Sequence, residues 1–191
     1  FLEPHFRYKP PRKYIYKYVD RKYDVELLNQ MTQFELLDTV LGDLHINDNR
    51  EEVLTALYDA CIHYLDDQIH DFYQFLDREG YADNTRIVVL ADHGELLGES
   101  GWWGHNARIH NRLSHVPLIV YHSKMDSHIE SSPVEVRSLC DYLIRCADKG
   151  LTATLDTSDV ALVEQYGADT GIALGFLDKY DNNAEEYKKY E

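Results

Sequence analysis

Asp92 and His93 are adjacent and of two metal-ligand types. A carboxylate oxygen beside an imidazole nitrogen can grip one cation from two sides where the chain turns. The pair suits Mn²⁺ or Zn²⁺, and Ca²⁺ less well because of the nitrogen. Two ligands do not complete a site, so the others must come from elsewhere. The structural alternative is that Asp92 caps the following turn and His93 makes an ordinary hydrogen bond. His105 follows across a segment with glycines at 94, 98, 101 and 104. An imidazole there could contact a tetrahedral oxyanion or protonate a leaving group, or it could be a surface-loop histidine. His110 and His115 could join His93 and His105 in a zinc cluster, although their spacing matches no compact zinc pattern. Trp102 and Trp103 read as packing residues that could also wall a pocket. Glu95 and Glu99 could be bases, but read more simply as solvated loop carboxylates.

The apolar run at 87–90 predicts a strand over 86–91, buried on both faces. Asp92 and His93 come where it stops, and ligands in open α/β sheets sit at the carboxyl ends of strands. Before it, Leu54, Leu57, Tyr58, Cys61, Leu65, Ile69, Phe72 and Leu76 recur at intervals of three and four, predicting a long helix. Asn49 is its expected N-cap with Glu52 as capping-box partner, and Gly80 its stop. His63 and His70 on this helix read as structural or exposed. Val25, Leu28, Phe34, Leu37 and Leu41 predict a helix over 24–41. Pro4, Pro10 and Pro11 argue for an extended loop in residues 1–23. His115 to Tyr121 is a second strand candidate, with Pro117 at its start or at a bulge. Ser132, Pro133 and Glu135 signal a helix reaching about Ala147, with Val136, Leu139, Cys140, Leu143 and Ile144 inward. Residues 150–191 read as a small strand-and-turn region with a charged, tyrosine-rich tail.

The 191 residues have room for one domain, and 44% apolar content argues against disorder. The net charge of −15 disfavours nucleic-acid binding and requires any anion site to be locally positive. The acidity fits either a high-salt cytoplasm or an ordinary acidic protein. No apolar run is long enough to span a bilayer. Cys61, Cys140 and Cys146 form no CxxC pair, which favours a reducing compartment such as the cytoplasm. No secretory signal is visible, but the chain starts at Phe1 rather than Met. The element order gives the α/β class, with few core strands for its helices.

Three segments together resemble the carboxy-terminal half of the sulfatase family, in the alkaline phosphatase-like superfamily. The first is Glu3-Pro4-His5-Phe6-Arg7-Tyr8-Lys9-Pro10-Pro11, similar to the family's Pro-His-x-Pro-Tyr-x-Pro-Pro loop. The second is Tyr64-Leu65-Asp66-Asp67-Gln68-Ile69 leading to Gly80-Tyr81-Ala82-Asp83-Asn84-Thr85. The third is Ala91-Asp92-His93-Gly94-Glu95, through Gly98-Glu99 to Gly104-His105, then Val116-Pro117-Leu118-Ile119-Val120. The combination covers residues 1–122.

The resemblance implies an alkaline phosphatase-like three-layer α/β fold, present as a carboxy-terminal fragment. Residues 1–147 would be part of the catalytic domain, and 148–191 a small further region. Asp92 and His93 would be metal ligands for one divalent ion, Ca²⁺ or Mn²⁺ first and Zn²⁺ or Mg²⁺ otherwise. His5 and His105 would be catalytic and contact the oxygens of the ester, with Trp102 beside the substrate. The substrate would be a small-molecule or glycan sulfate ester.

The family's nucleophile is a formylglycine from a Cys/Ser-x-Pro-x-Arg motif, or Thr or Ser in phospho-transferring relatives. No such motif occurs in this chain, which implies a partner amino-terminal half, or else a non-catalytic remnant. Ser100 stands where many members have His, and Ala91 where Ser or Thr is usual. His105 stands where many arylsulfatases place Lys. Histidine there occurs in relatives acting on phosphate esters or phosphonates and in phosphoethanolamine and lipoteichoic-acid transferases, so a phosphoryl hydrolase or transferase is the alternative.

Overall fold

A computed structural model describes residues 1–31, 35–36, 38–39, 43–105 and 109–164. The chain divides into two compact units, residues 1–106 with 111–129 and residues 107–110 with 130–191.

In the first unit, Pro10 and Pro11 do not hold the amino-terminal segment extended throughout. They immediately precede helix α1 (Arg12–Tyr18), with Pro11 at its N-cap. Proline is tolerated there because the first-turn N–H groups have no intrahelical acceptor to lose. The helix expected over 24–41 begins as α2 (Val25–Leu28), capped by Asp24, whose carboxylate accepts from Leu27 N. It is interrupted where Arg50 donates to the carbonyls of Leu28 and Gln30. Asn29 instead donates to Tyr8 O at 2.7 Å. Helical backbone resumes at 35–36 and 38–39; Phe34, Leu37, Leu41 and Gly42 lie outside the described residues.

Helix α3 (Asp48–Arg78) is the spine. Its N-cap is Asn47, two residues before the expected Asn49; the Asn47 side chain accepts from Arg50 N at 3.0 Å. Glu52 does not close a capping box but accepts from the Tyr23 hydroxyl at 2.6 Å. At the other end, Gly80 has φ +78°, Tyr81 N donates to Leu76 O and Gly80 N to Asp77 O. These two bonds form a Schellman stop, in the place the sequence predicts. His63 bonds to Tyr18 and Lys17, and His70 to Gln74, all at exposed positions.

Val53, Leu54, Leu57 and Cys61 of α3 form a buried core with Tyr8, Val19, Met31, Leu36, Ile46 and Trp103. Tyr14 of α1 is also buried and donates to Asp67 at 2.6 Å. Aromatic contacts run from Phe6 to Tyr8 to Tyr58, each with ring centroids 5.4 Å apart.

Strands β1 (Ile87–Leu90), β2 (Leu96–Leu97) and β3 (Trp103–Gly104) are followed by the short helix α4 (Asn111–Ser114) and β4 (Leu118–Tyr121). β1 pairs with β4 antiparallel, Leu90 opposite Leu118, and β2 with β3. Pro117 precedes β4, one of the positions the sequence allows it. β1 is not buried on both faces: Leu90 is 40% exposed, as is 56% of Ile119 opposite Val89. Among the described residues β1 bonds only to β4, and Tyr73 of α3 meets Tyr121 of β4 edge-on, with ring centroids 5.2 Å apart.

In the second unit, helix α5 (Leu139–Lys149) starts later than Ser132-Pro133 suggests. Glu135 is extended, and its carboxylate accepts from Leu162 N and pairs with Arg137 instead of capping a helix. The later start moves the buried stripe to Leu139 and Tyr142, leaving Val136, Cys140, Leu143 and Ile144 exposed. Residues 153–164 contain no strand among those described; 165–191 lie outside them. Cys61, Cys140 and Cys146 are in no disulfide, and Cys61 is buried. No helix among the described residues is long and apolar enough to cross a membrane.

The position of the α3 cap yields a direct comparison. Asn47→Ala should cost about 1 kcal/mol in urea unfolding, and Asn49→Ala much less. Equal losses, or a larger loss at Asn49, would contradict the observed start.

Candidate active site

The turn after β1 is held by close backbone approach. Gly94 N donates to Leu113 O at 2.8 Å, and a Cβ on Gly94 would stand 1.9 Å from Arg112 O. No side chain fits there, so glycine lets the Asp92-His93 turn seat on α4.

The hairpin then brings His105 back beside that turn. Leu96 faces Gly104 and Leu97 faces Trp103. Trp103 is 2% exposed and anchors the hairpin in the α3 core. Glu99 closes the loop: its carboxylate accepts from Leu97 N at 2.6 Å and lies 3.5 Å from Arg112. Trp102 accepts at its carbonyl from Gly98 N, and its side chain is half-buried. Gly104 has φ +82°, with Leu36 and Glu95 side chains 3.5 and 3.6 Å from where a Cβ would lie. That conformation between two packed side chains is one only glycine adopts at little cost.

His5 arrives from the other end of the unit, three residues before buried Tyr8. Its ring centroid is 5.1 Å from His105 and 6.5 Å from His93; His93 and His105 stack at 4.1 Å. The structure thus gathers three of the four catalytic and metal-ligand candidates as one imidazole cluster, with Asp92 adjoining through His93 Nε2 to Asp92 Oδ1, 3.9 Å. His110 and His115 form no zinc cluster with them. Among the described residues no three His, Cys, Asp or Glu side chains meet as a metal-holding group.

The rings' tautomers follow from their partners. His5 Nδ1 faces Phe6 O, and His93 Nδ1 faces Gly94 O at 2.9 Å. A carbonyl can only accept, so each neutral ring carries its proton on Nδ1 and its lone pair on Nε2. His105 Nδ1 faces Glu95 Oε1 at 3.3 Å. The Glu95 hydrogen bond raises the His105 pKa above the ordinary histidine value, against the lowering effect of burial.

Glu95 is not the solvated carboxylate its loop position suggests: its side chain is 5% exposed. The missed signal is the pairing register, which is invisible until the hairpin closes. Glu99 is also engaged rather than free. Burial, with the charge of Glu95 adding to it, raises the pKa of the Tyr8 phenol, whose buried oxygen has no hydrogen-bond partner among the described residues.

Asp92 has a side chain 92% exposed, and its Oδ1 accepts from His93 N at 3.1 Å. Its carboxyl is held below the usual range by its own backbone N–H, then by His93 and His105. The turn-capping role and an open carboxylate therefore coexist. An ion about 2.1 Å from an imidazole nitrogen and about 2.2–2.4 Å from an oxygen can bridge atoms up to about 4.5 Å apart. The 3.9 Å gap between Asp92 Oδ1 and His93 Nε2 fits that span. The pair alone would supply only part of a coordination sphere, and among the described residues no third side chain stands with it as a ligand.

A model of the sulfatase family matches residues 1–148. An uncharacterized sulfatase, YidJ, of Escherichia coli strain K12 is 26% identical over 76% of this chain and 30% of its own length. An arylsulfatase of Clostridium perfringens is 25% identical over 63% of the chain and 26% of its own. Human iduronate 2-sulfatase is 30% identical over 54% of the chain and 17% of its own. The chain thus spans less than a third of the length of these relatives. The solved structure of the phosphonate monoester hydrolase SpPMH from Silicibacter pomeroyi superposes with a TM-score of 0.56 and 23% identity. It covers 74% of this chain and 31% of that one. That likeness identifies the fold as α/β of the alkaline phosphatase-like kind.

The contact at Gly94 generates a prediction. Gly94→Ala should destabilise the first unit by about 3 kcal/mol, at the upper end for overpacking, because backbone must move. Thermal unfolding measures this; a wild-type midpoint would refute the close approach.

Proposed function

Because the chain belongs to the sulfatase family, we propose that it supplies part of the active site of a metal-dependent sulfuric-ester hydrolase. The imidazole cluster at His5, His93 and His105, joined to the Asp92 carboxylate, carries this reading. In it, residues 1–147 contribute to the catalytic domain and 148–191 form a further small region. The substrate class is a sulfate ester of a small molecule or glycan.

Asp92 and His93 would hold one divalent cation, Ca²⁺ or Mn²⁺ first and Zn²⁺ or Mg²⁺ otherwise. When bound, such an ion polarises the ester oxygens and helps activate the nucleophile. The remaining chemistry belongs to the chain's own side chains. His93 directs its unprotonated Nε2 outward because Gly94 O holds the Nδ1 proton. His5 is tied in the same way to Phe6 O, so its Nε2 can donate to the ester oxygens only when the ring carries a second proton. His105, protonated more readily than an ordinary histidine, can donate from Nε2 to a leaving oxygen. Trp102 would flank the bound group. The nucleophile would come from residues outside this chain: Cys61 is buried and its thiol pKa is pushed up to about 11.

His105 itself favours the second reading, a phosphoryl or phosphonate hydrolase or transferase of the superfamily, since many arylsulfatases have Lys at that place. Parallel assays of the whole protein with 4-nitrophenyl sulfate and 4-nitrophenyl phosphate decide between the two.

In the whole protein, Asp92→Ala should lower kcat at least ~100-fold, comparable to losing a strong electrostatic contact to the transition state. Wild-type turnover would rule out the ligand role. The 191-residue chain alone should hydrolyse neither ester; metal-dependent turnover by it would overturn the requirement for an external nucleophile.

A further inference from the structure

The register of the hairpin fixes a pair of residues that neither strand contains. Leu96 faces Gly104 and Leu97 faces Trp103, so the next rung places Glu95 opposite His105. Side chains two residues apart in an extended chain share a face. Glu95 therefore lies on the side of Leu97, which packs against the core beside Trp103; Gly104, at φ +82°, breaks the alternation on the other strand, and His105 is placed by its contact with Glu95 instead. This explains how a loop carboxylate comes to be 5% exposed.

A buried carboxylate costs free energy unless hydrogen bonds compensate it. Glu95 has no Lys or Arg ion-pair partner among the described residues; its Oε1 faces His105 Nδ1 at 3.3 Å. Tyr8 and Leu36 line its surroundings, and the same oxygen lies 3.6 Å from where a Gly104 Cβ would be. The carboxylate is walled in on the far side of the imidazole from Nε2. It can only accept, so in the neutral ring it keeps the proton on Nδ1. Through that contact it sets both the tautomer and the plane of the ring stacked on His93.

We propose that Glu95 is a positioning residue: it holds His105 by Nδ1–H and so aims Nε2 at the oxygens of the bound ester, to which Nε2 donates once the ring takes a second proton. The proposal rests on the sulfatase-like reading of the site for its substrate, but not for its test. A carboxylate behind an imidazole that contacts an oxyanion gives the ring one orientation before substrate arrives, a gain in preorganisation.

The test uses the 191-residue chain, ¹⁵N-labelled, with long-range ¹H–¹⁵N correlation of the His105 ring at a pH where it is neutral. The wild type should show the single tautomer protonated on Nδ1. Glu95→Gln, whose amide oxygen can still accept, should keep it; Glu95→Leu should give a mixture or the other tautomer. Cross-strand contacts between Leu97 and Trp103 report whether the hairpin is intact. An unchanged tautomer in Glu95→Leu with the hairpin intact overturns the proposal. Should Glu95→Leu lose the hairpin, Glu95→Gln decides: with the hairpin kept, the Nδ1 tautomer supports the proposal and its loss overturns it. In the whole protein, Glu95→Leu should lower kcat ~10–100-fold with KM little changed, and Glu95→Gln should restore most of it. Because the tautomer is read without metal or substrate, a failure of sulfatase activity leaves the proposal standing and is recognised separately.

Discussion

Packing against one face of α3 is the constraint on which the site depends. Leu54, Leu57 and Cys61 present a buried stripe, and two distant segments insert aromatic rings into the same cluster: Tyr8 from the amino-terminal segment and Trp103 from the hairpin. Each ring lies within three residues of a histidine. Tyr8 fixes the approach of His5, and Trp103 fixes that of His105, so side chains a hundred residues apart in sequence reach a ring separation of 5.1 Å. Truncating either aromatic would remove a buried anchor of the size that dominates core energetics. His5 is exposed, so burial of its own ring does not hold it in place.

The second constraint is polar. Each imidazole is tied at Nδ1 to an acceptor-only group: Phe6 O, Gly94 O or the Glu95 carboxylate. Two of these acceptors are backbone, so the ring orientations are inherited from turns rather than from mobile side chains. In a chain of net charge −15, gathering three rings that can carry positive charge is one way to make a locally favourable place for an anion. The exposed Asp92 carboxylate works against that unless a cation covers it, which agrees with the ligand role proposed for it.

Much of this was legible in the sequence where local rules act alone. The β1 run that ends at Leu90, just before Asp92, the glycine stop at Gly80 and the strand after Pro117 each depend on a few adjacent residues. The features that were not legible depend on tertiary partners. Asn47 and Asn49 are equally good caps by type, and the helix start is two residues earlier than the Glu52 pattern implies because Glu52 is taken by Tyr23. Glu135 has the pattern of a capping glutamate but accepts from Leu162. Prolines 10 and 11 read as breakers, yet the chain turns helical immediately after them. Glu95 reads as a solvated loop residue, and only the hairpin register makes it the buried neighbour of His105. Asp92, His93, His5 and His105 were identified by residue type and resemblance; their convergence could come only from the fold.

The central claim, that these four side chains form one site open to a cation at Nε2 of His93, is tested most directly by titrating Mn²⁺ into the ¹⁵N-labelled chain. Paramagnetic broadening of the histidine ring signals would be followed. His93 should broaden first, His5 and His105 should follow, and Asp92→Asn should weaken the whole response, while His63, which bonds to Tyr18 and Lys17 rather than to the cluster, should change less than these three. Broadening that begins at His63 or His70, or that is unaffected by Asp92→Asn, would contradict it.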